Sequence, residues 1–512
     1  MSPVIDTGQT SWQNKHETYT QGLRQVLQAV NDPFGTGTQF ERYNRTTKAL
    51  RGLVQRAVRE GARLRAFGGG WSFSGAPATD GYLLDTSPLN LWFPVRPGMI
   101  HPDYPGPRDG LYFLQCGNSI AGLNRNLLTQ QRSLRTTGAS NGQSIVGAMS
   151  TGTHGSAIDI GAVQDCVVGI HLIAGPDRHL WIERASRPAA SDEFARLLGA
   201  ELRRHDDLFN AVLVSFGAFG LIHGVMIETE PVFLFEMHRI RQPLDDRLRR
   251  VITTLDFTGA GLPGGNARPR HFDVVINPYD MEDGVYVTAM YQRPFRRDYP
   301  RPPQGGLAPG DDVLQFVGTV TDVLPALIPG VMTAVVTSQY KTTTTAILGT
   351  TNDIFPTTTT RGRAAGMAIA VPAERALETM ELILDINRRD GPFPCLTALR
   401  FVPGTQALLG FTRFERTCVV DVDGTLSART RRFYSLIWQA LAISGIPYAL
   451  HWGKMLALSA AEVRRLYGAN VDRWLSARRE LLTPELQRTF SNRFLEDLGL
   501  ASSPTSDGPP LV

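Results

Sequence analysis

The chain has 512 residues, of which 42% are hydrophobic and 20% charged, with a formal net charge of +4. At about 150 residues per domain this length calls for more than one core, and the composition is that of a folded protein, neither disordered nor fibrous. So small a positive excess gives no reason to invoke nucleic acid, and the four cysteines (Cys116, Cys166, Cys395, Cys418), with no CxxC spacing or histidine pairing, indicate neither a zinc site nor a disulfide framework.

The opening MSPVIDTGQTSWQNKHE lacks the apolar core of a secretory signal, and the chain reads as cytoplasmic. The first forty residues are polar and turn-rich, with a helix expected around 21–30. Leu50, Val54 and Val58 recur at helical spacing and place a helix over 43–60. Residues 64–74, LRAFGGGWSFS, form a short apolar strand running into three glycines and then hydroxyl residues. A strand at 82–85, a proline-rich connection over 94–110, a strand at 111–116 and a helix over 119–130 follow. This alternation implies a layered α/β or α+β unit.

The rest of the chain is organised around residues 136–157, TTGASNGQSIVGAMSTGTHGSA. Gly138, Gly142, Gly147, Gly152 and Gly155 are separated mostly by small hydroxyl residues. Such a run buries little apolar surface. It offers closely approachable backbone, free N–H groups and hydroxyl donors, which together can hold a pyrophosphate without a metal. The 64–74 turn is a second anion cradle of the same kind. A β-branched strand is expected at 163–174 and a helix over 192–210. The first unit closes with 215–231, SFGAFGLIHGVMIETEP, a glycine-punctuated turn into an alternating strand.

From 232 the rhythm changes. Strands are expected at 232–238, 273–277 and 285–291, with a helix at 244–255 and an Arg/Pro/Gly-rich loop at 293–312. The apolar segment 313–336 is broken by Asp322, Pro325 and Pro329, which suits it to lining a pocket better than to spanning a membrane. Threonine runs at 342–345 and 357–360 precede a strand at 367–371 and, after Pro372, an amphipathic helix at 373–388. Strands at 396–402 and 417–422 and a helix at 432–443 complete a unit that reads as an antiparallel sheet backed by helices. After HWGK (451–454), helices are expected at 460–467, 471–482 and 484–497, and disorder over 501–512.

The three glycine-bearing segments, in this order and spacing, resemble the FAD-binding domain of the vanillyl-alcohol-oxidase superfamily. HWGK resembles the HWxK motif of its aldonolactone oxidase branch, which includes alditol oxidases and, more distantly, covalent-flavin sterol oxidases. The resemblance implies an α+β, two-domain PCMH-type fold. Residues 1–231 would bind FAD, 232–450 would form a substrate (cap) domain, and 451–500 would return to the flavin domain. It implies that FAD lies against Phe67, Gly68, Gly69, Gly70, Trp71 and Ser72 of the turn. Along the dinucleotide it implies Gly138, Ser144, Gly147, Ala148, Ser150, Thr151, Gly152, Thr153, His154 and Gly155, with Gly220 and Ile222 completing the site. Many relatives carry in the turn a histidine bonded to the flavin ring. Trp71, or Ser72, stands there and cannot form that bond, so FAD is expected to be non-covalent, or attached through another residue.

The flavin supplies the redox chemistry, and the protein must place a donor carbon and handle one proton. Lys454 matches the lysine of HWxK and is the candidate cation beside the reduced, anionic flavin; His451 is a candidate base or hydrogen-bond partner. Arg400, in TALRFVPG, matches the arginine of an acid-x-arginine pattern, and the position of the acid holds Ala398. With that partner missing, simple polyols are a less natural substrate. The expected activity is oxidation of a CH–OH group in a bulky, fairly apolar small molecule such as a sterol or secondary metabolite, by hydride transfer to FAD. A sugar lactone or polyol oxidase, and an FAD-binding protein without turnover, are the alternatives. Molecular oxygen is a candidate acceptor, because Gly147 and Ala148 leave room near the ring.

Three formal motif matches are set aside. VVDVDGTL (419–426) carries the DxDGT signature of haloacid-dehalogenase-like phosphotransferases, but too little chain follows to build that domain. A β-turn with aspartate at the bend is the expectation there. GASNG (138–142) and GAGLPG (259–264) lack the strand–turn–helix settings of a nucleophile elbow and of a dinucleotide fingerprint.

Overall fold

Residues 3–31, 36–302, 324–355 and 363–501 are described in a computed structural model; residues 303–323, the second threonine run and everything from 502 onward lie outside them. Among the described residues three sheets and a small hairpin carry the strands. The first sheet orders Val4–Asp6, Gln25–Ala29, Tyr82–Asp85 and Leu64–Phe67, the last three running parallel. The helix expected at 21–30 is therefore strand. Gln25–Ala29 fills the slot between Val4–Asp6 and Tyr82–Asp85, and the ladder hydrogen bonds settle an apolar run too short for its periodicity to decide. The helix Gln39–Arg59 starts in a Thr38/Glu41 capping box and buries Leu50, Leu53, Val54 and Ala57.

The second sheet orders Glu201–Arg204, His179–Glu183, Val167–Ile173, Leu221–Pro231, Leu111–Gln115 and Trp92–Pro94, with Arg132–Leu134 also paired to Leu221–Pro231. One expected helix is divided here. Asp192–Leu198 ends at Gly199, φ +66°, and Asp206–Leu213 begins after Glu201–Arg204 has paired in parallel with His179–Glu183. The glycine-rich segment contains a helix of its own, Ile145–Thr151, capped by Ser144 and closed by Gly152 at φ +83°.

Val232 alone separates the second sheet from the third. The third sheet has antiparallel neighbours throughout, ordered Ile347–Gly349, Phe233–Gln242, Val285–Pro294, His271–Ile276, Cys395–Pro403, Arg416–Thr425, Ala364–Pro372 and Ala449–Leu450. DVDGT is not a turn: it is the end of Arg416–Thr425, an interior strand, so Asp421 and Asp423 project from one face. Helix Ile328–Gln339 packs over that face through Ile328, Met332 and Val336.

The C-terminal helices return to the first half of the chain. Arg65 Nη1 donates to the Phe490 carbonyl (2.8 Å), Arg478 Nε to that of Ala218 (2.9 Å), and Asn492 Nδ2 to those of Ala76 and Ala78 (3.0 and 2.9 Å). Asn492 also caps Arg493–Asp497, which splits the expected helix 484–497 in two. Among the described residues no helix is long and apolar enough to cross a membrane.

Candidate active site

A cavity of ≈ 580 Å³ runs from the glycine turn of the first half to the helix-covered face of the third sheet. Its upper part exists because backbones touch. A Cβ on Gly69 would stand 2.6 Å from the Gly142 carbonyl oxygen, and one on Gly68, Gly142, Gly155 or Gly220 would overlap Ser144, the Trp71 indole, the Thr137 carbonyl or the Ile173 carbonyl. Glycine is what lets the turn, the glycine-rich loop and the third segment meet. Ser144 Oγ accepts from the Gly147 N–H (3.3 Å), so a capped helix N-terminus also opens on the cavity.

Phe67, Gly68, Gly69, Gly70, Trp71, Ser72, Gly138, Ser144, Gly147, Ala148, Ser150, Thr151, Thr153, His154, Gly155, Gly220 and Ile222 all line this space, together with Arg400, His451 and Lys454. Gly152 does not. It ends its helix against the Phe411 ring, where a Cβ would come within 3.1 Å. A cradle closed by glycines, with hydroxyls and a helix N-terminus facing in, fits a flavin dinucleotide.

The N-terminal hairpin, with strands Ser11–Gln13 and Thr20–Gly22, straps the turn from outside. The Lys15 N–H donates to the Gly70 carbonyl (2.9 Å), Asn14 Nδ2 to that of Ser72 (2.9 Å) and Thr18 Oγ1 to that of Phe73 (2.9 Å). His16 stacks on Phe73 at 4.2 Å and meets Trp71 edge-on at 5.4 Å. Burial, with Lys15 beside it, lowers the His16 imidazole to about 4. Nothing in the local sequence marks His16, because tertiary pairing brings it to the cavity.

The floor is one face of the third sheet. Ala398 lies directly opposite Asp421 in register, so the acid absent beside Arg400 on its own strand is supplied from the next one. Arg400 Nη1 stands 2.8 Å from Asp421 Oδ2. Lys454 Nζ donates to Asp421 Oδ1 at 2.5 Å and to Asp423 Oδ1 at 2.9 Å. Burial opposes the charges on Arg400, Asp421 and Lys454, and their partners outweigh it. Arg400 and Lys454 hold the Asp421 carboxyl well below the usual range, and Asp421 and Asp423 push the Lys454 ammonium above its usual value. Lys454 is a fixed cation. Across the floor His271 Nε2 lies 3.0 Å from Asp273 Oδ2, and Arg239 Nε donates to Thr288 Oγ1 at 3.1 Å. Burial raises the Asp273 carboxyl, but His271, Arg239 and Arg400 together bring it below its usual value.

The imidazoles near Lys454 have definite tautomers. His154 Nδ1 is 3.0 Å from the Gly155 carbonyl, which only accepts, so Nδ1 carries the proton. His451 Nδ1 accepts from the Gly453 N–H at 2.9 Å, so Nε2 carries the proton. Burial keeps both neutral, His154 at about 4. With its lone pair taken by backbone, His451 offers an N–H rather than a base. Sequence reasoning had not singled out His271, Asp273 or Arg239, and had set Asp421 and Asp423 aside with the DxDGT match. The available signal was the spacing of two in H-x-D and D-x-D, which puts both polar groups of each pair on one strand face. Met237 and Met290 lie in the floor itself, Met290 directly opposite His271, and Met332, Val335 and Phe355 also line the cavity.

Two families match the chain: an FAD binding domain over residues 42–181 and D-arabinono-1,4-lactone oxidase over residues 254–498. The L-gulono-1,4-lactone dehydrogenase of Mycobacterium tuberculosis is 25% identical over 452 residues, 87% of this chain and 92% of that protein. The D-arabinono-1,4-lactone oxidase of Debaryomyces hansenii is 26% identical over 193 residues, 37% of this chain and 31% of that one. Among solved structures, the cholesterol oxidase of Brevibacterium sterolicum superposes with a TM-score of 0.70 at 12% identity, covering 97% of both chains. A chitooligosaccharide oxidase superposes at 0.59 and 12%, covering 95% of this chain and 96% of that one.

Proposed function

The chain belongs to the aldonolactone oxidase branch of the vanillyl-alcohol-oxidase superfamily, and from that premise we propose that it is an FAD-dependent oxidoreductase that oxidises a CH–OH group of a neutral, polyhydroxylated donor such as a sugar lactone or polyol. The observation that carries the donor class is the charged floor. Arg239, Arg400 and Lys454 balance Asp273, Asp421 and Asp423. Covering such groups with a hydrocarbon ring system would strip their remaining hydration without replacing it, whereas hydroxyl groups can take its place. The absence of net charge favours a neutral donor over a sugar acid.

Bound FAD supplies the oxidising power. The turn, the glycine-rich loop and Gly220 hold it, without a covalent bond because Trp71 occupies the tether position. Arg400 orients the donor oxygen, Lys454 supplies the fixed positive charge, and the Nε2–H of His451 adds a hydrogen bond. Gly147 and Ala148 leave room for molecular oxygen as acceptor. A second reading, a bulky apolar donor, is favoured by the methionines of the lining, Met237 and Met290 in the floor and Met332 on the covering helix.

Anaerobic bleaching of the FAD-loaded protein tests both readings. Bleaching by L-gulono- or D-arabinono-1,4-lactone or by polyols, and not by cholesterol, is expected; bleaching by cholesterol alone reverses the donor assignment. No bleaching by any donor leaves an FAD-binding protein without turnover. Peroxide formation in air identifies oxygen as the acceptor.

A further inference from the structure

We propose that His271, held in place by Asp273, is the base that takes the hydroxyl proton of the donor. The inference rests on the oxidoreductase reading above and adds the residue that the reaction still lacks.

Loss of an alcohol proton needs a lone pair that opens on the cavity. Most polar groups around the floor do not offer one. Lys454 is locked as a cation between two carboxylates. Asp421 spends one oxygen on Lys454 and faces Arg400 with the other, and Asp423 gives Oδ1 to the Lys454 ammonium, so its remaining oxygen, though open to the cavity, belongs to an ion-paired carboxylate. The lone pair of His451 accepts the Gly453 N–H. His154 makes no hydrogen bond through Nε2 among the described residues, but burial holds its ring neutral, at about 4, and Arg400 and Lys454 work against the pull of the Asp421 carboxylate. His16 sits away from the floor, stacked on Phe73 under the glycine turn.

His271 differs on each point. Asp273 Oδ2 can only accept, so the 3.0 Å contact fixes the proton on Nε2 and the lone pair on Nδ1. Among the described residues Nδ1 makes no hydrogen bond and is not sealed in, and it belongs to a ring that lines the cavity. The two side chains are locked by register. They stand two apart on His271–Ile276, with Asp273 directly opposite Thr288 on one neighbouring strand and Arg400 on the other. The charged and titratable groups facing the pair are therefore Arg400, Arg239 from the strand beyond Thr288, and Tyr340 at the end of the covering helix. Asp273 stabilises the imidazolium that forms, and Arg400, paired with Asp421 through Nη1, lines the cavity where the donor oxygen would sit.

In the step, the donor O–H bond breaks and its proton goes to His271 Nδ1. The carbonyl would form as the C–H hydrogen leaves with its bonding pair, for which FAD, held by the glycine turn and the glycine-rich loop, would be the two-electron acceptor. The imidazolium then returns its proton to water in the cavity.

The test compares wild type with His271→Asn, His271→Gln, His271→Ala and Asp273→Asn, each checked for FAD content by its visible spectrum. Anaerobic flavin reduction by a lactone or polyol donor is followed across pH. The expected result is normal FAD content, a reduction rate roughly 10²–10⁴-fold lower in the His271 variants, loss of the acid limb of the pH profile, and partial rescue of His271→Ala by added imidazole. Asp273→Asn should keep that limb but move it. A His271→Asn or His271→Gln protein with normal FAD content and the wild-type rate and pH profile overturns the inference and leaves the oxidoreductase reading standing. Wild type that no hydroxylated donor reduces overturns both.

Discussion

Acid should destabilise this protein through a buried histidine remote from the floor. His223 is fully buried in the second sheet, stacked on Tyr43 at 4.0 Å. Its Nδ1 lies 2.9 Å from Thr47 Oγ1 and its Nε2 3.1 Å from Gln115 Nε2. The Leu91 N–H donates to Gln115 Oε1 at 2.9 Å, which turns the amide nitrogen of Gln115 toward His223. His223 Nε2 must therefore accept, and a proton there would meet another donor. Burial, with His179 nearby, lowers the imidazole from 6.5 to about 3. A histidine depressed in the fold contributes stability in full above its unfolded value and loses it as pH falls toward the folded one. Between pH 7 and 5 the unfolded chain gains most of a proton at this site and the folded chain gains none, which costs about 2 kcal/mol. Asp165, pushed up to about 6 by burial, acts in the opposite sense over the same range. The measurement is therefore a difference: urea midpoints at pH 7, 6 and 5 for wild type and His223→Gln, in which Asp165 cancels. The wild-type stability should fall by about 2 kcal/mol more than that of the variant. Parallel pH dependences would refute the argument that His223 is held neutral.

Three further outcomes follow from the cavity. Asp421→Asn leaves Arg400 and Lys454 without their shared carboxylate, a change that costs about 3–5 kcal/mol for a buried pair. The Lys454 pKa should then fall, moving the basic limb of the flavin-reduction profile to lower pH, with Asp421→Glu recovering part of the wild-type behaviour. Gly142→Ala drives a methyl into the Trp71 indole and should lower FAD content, read from the ratio of visible to ultraviolet absorbance, while circular dichroism stays native. Acid precipitation of the loaded protein should release its yellow colour to the supernatant; colour in the pellet would show a covalent bond despite Trp71.

The parts of the fold legible in sequence were those whose demands are local. Glycine is required where backbones touch, so LRAFGGGWSFS and TTGASNGQSIVGAMSTGTHGSA announced the cradle, and all of its assigned residues except Gly152 line the cavity. Strand periodicity announced the antiparallel sheet, and the apolar segment does place Met332 and Val335 on the cavity wall. Short elements were misread where pairing overrides propensity, as at Gln25–Ala29 and Glu201–Arg204.

The amino-acid sequence by itself pointed to the candidate flavin cradle, to the family it resembles and to Arg400 and Lys454 as candidate cations, because each is written in a contiguous motif. Only the tertiary structure decided what those cations face. Asp421 answers Arg400 because Arg416–Thr425 sets it opposite Ala398, and His271 and Asp273 reach the same floor through the alignment of His271–Ile276 with Cys395–Pro403. Those meetings depend on strand order and register. A slip of one residue would turn every one of these side chains to the other face, so no local pattern could have stated them.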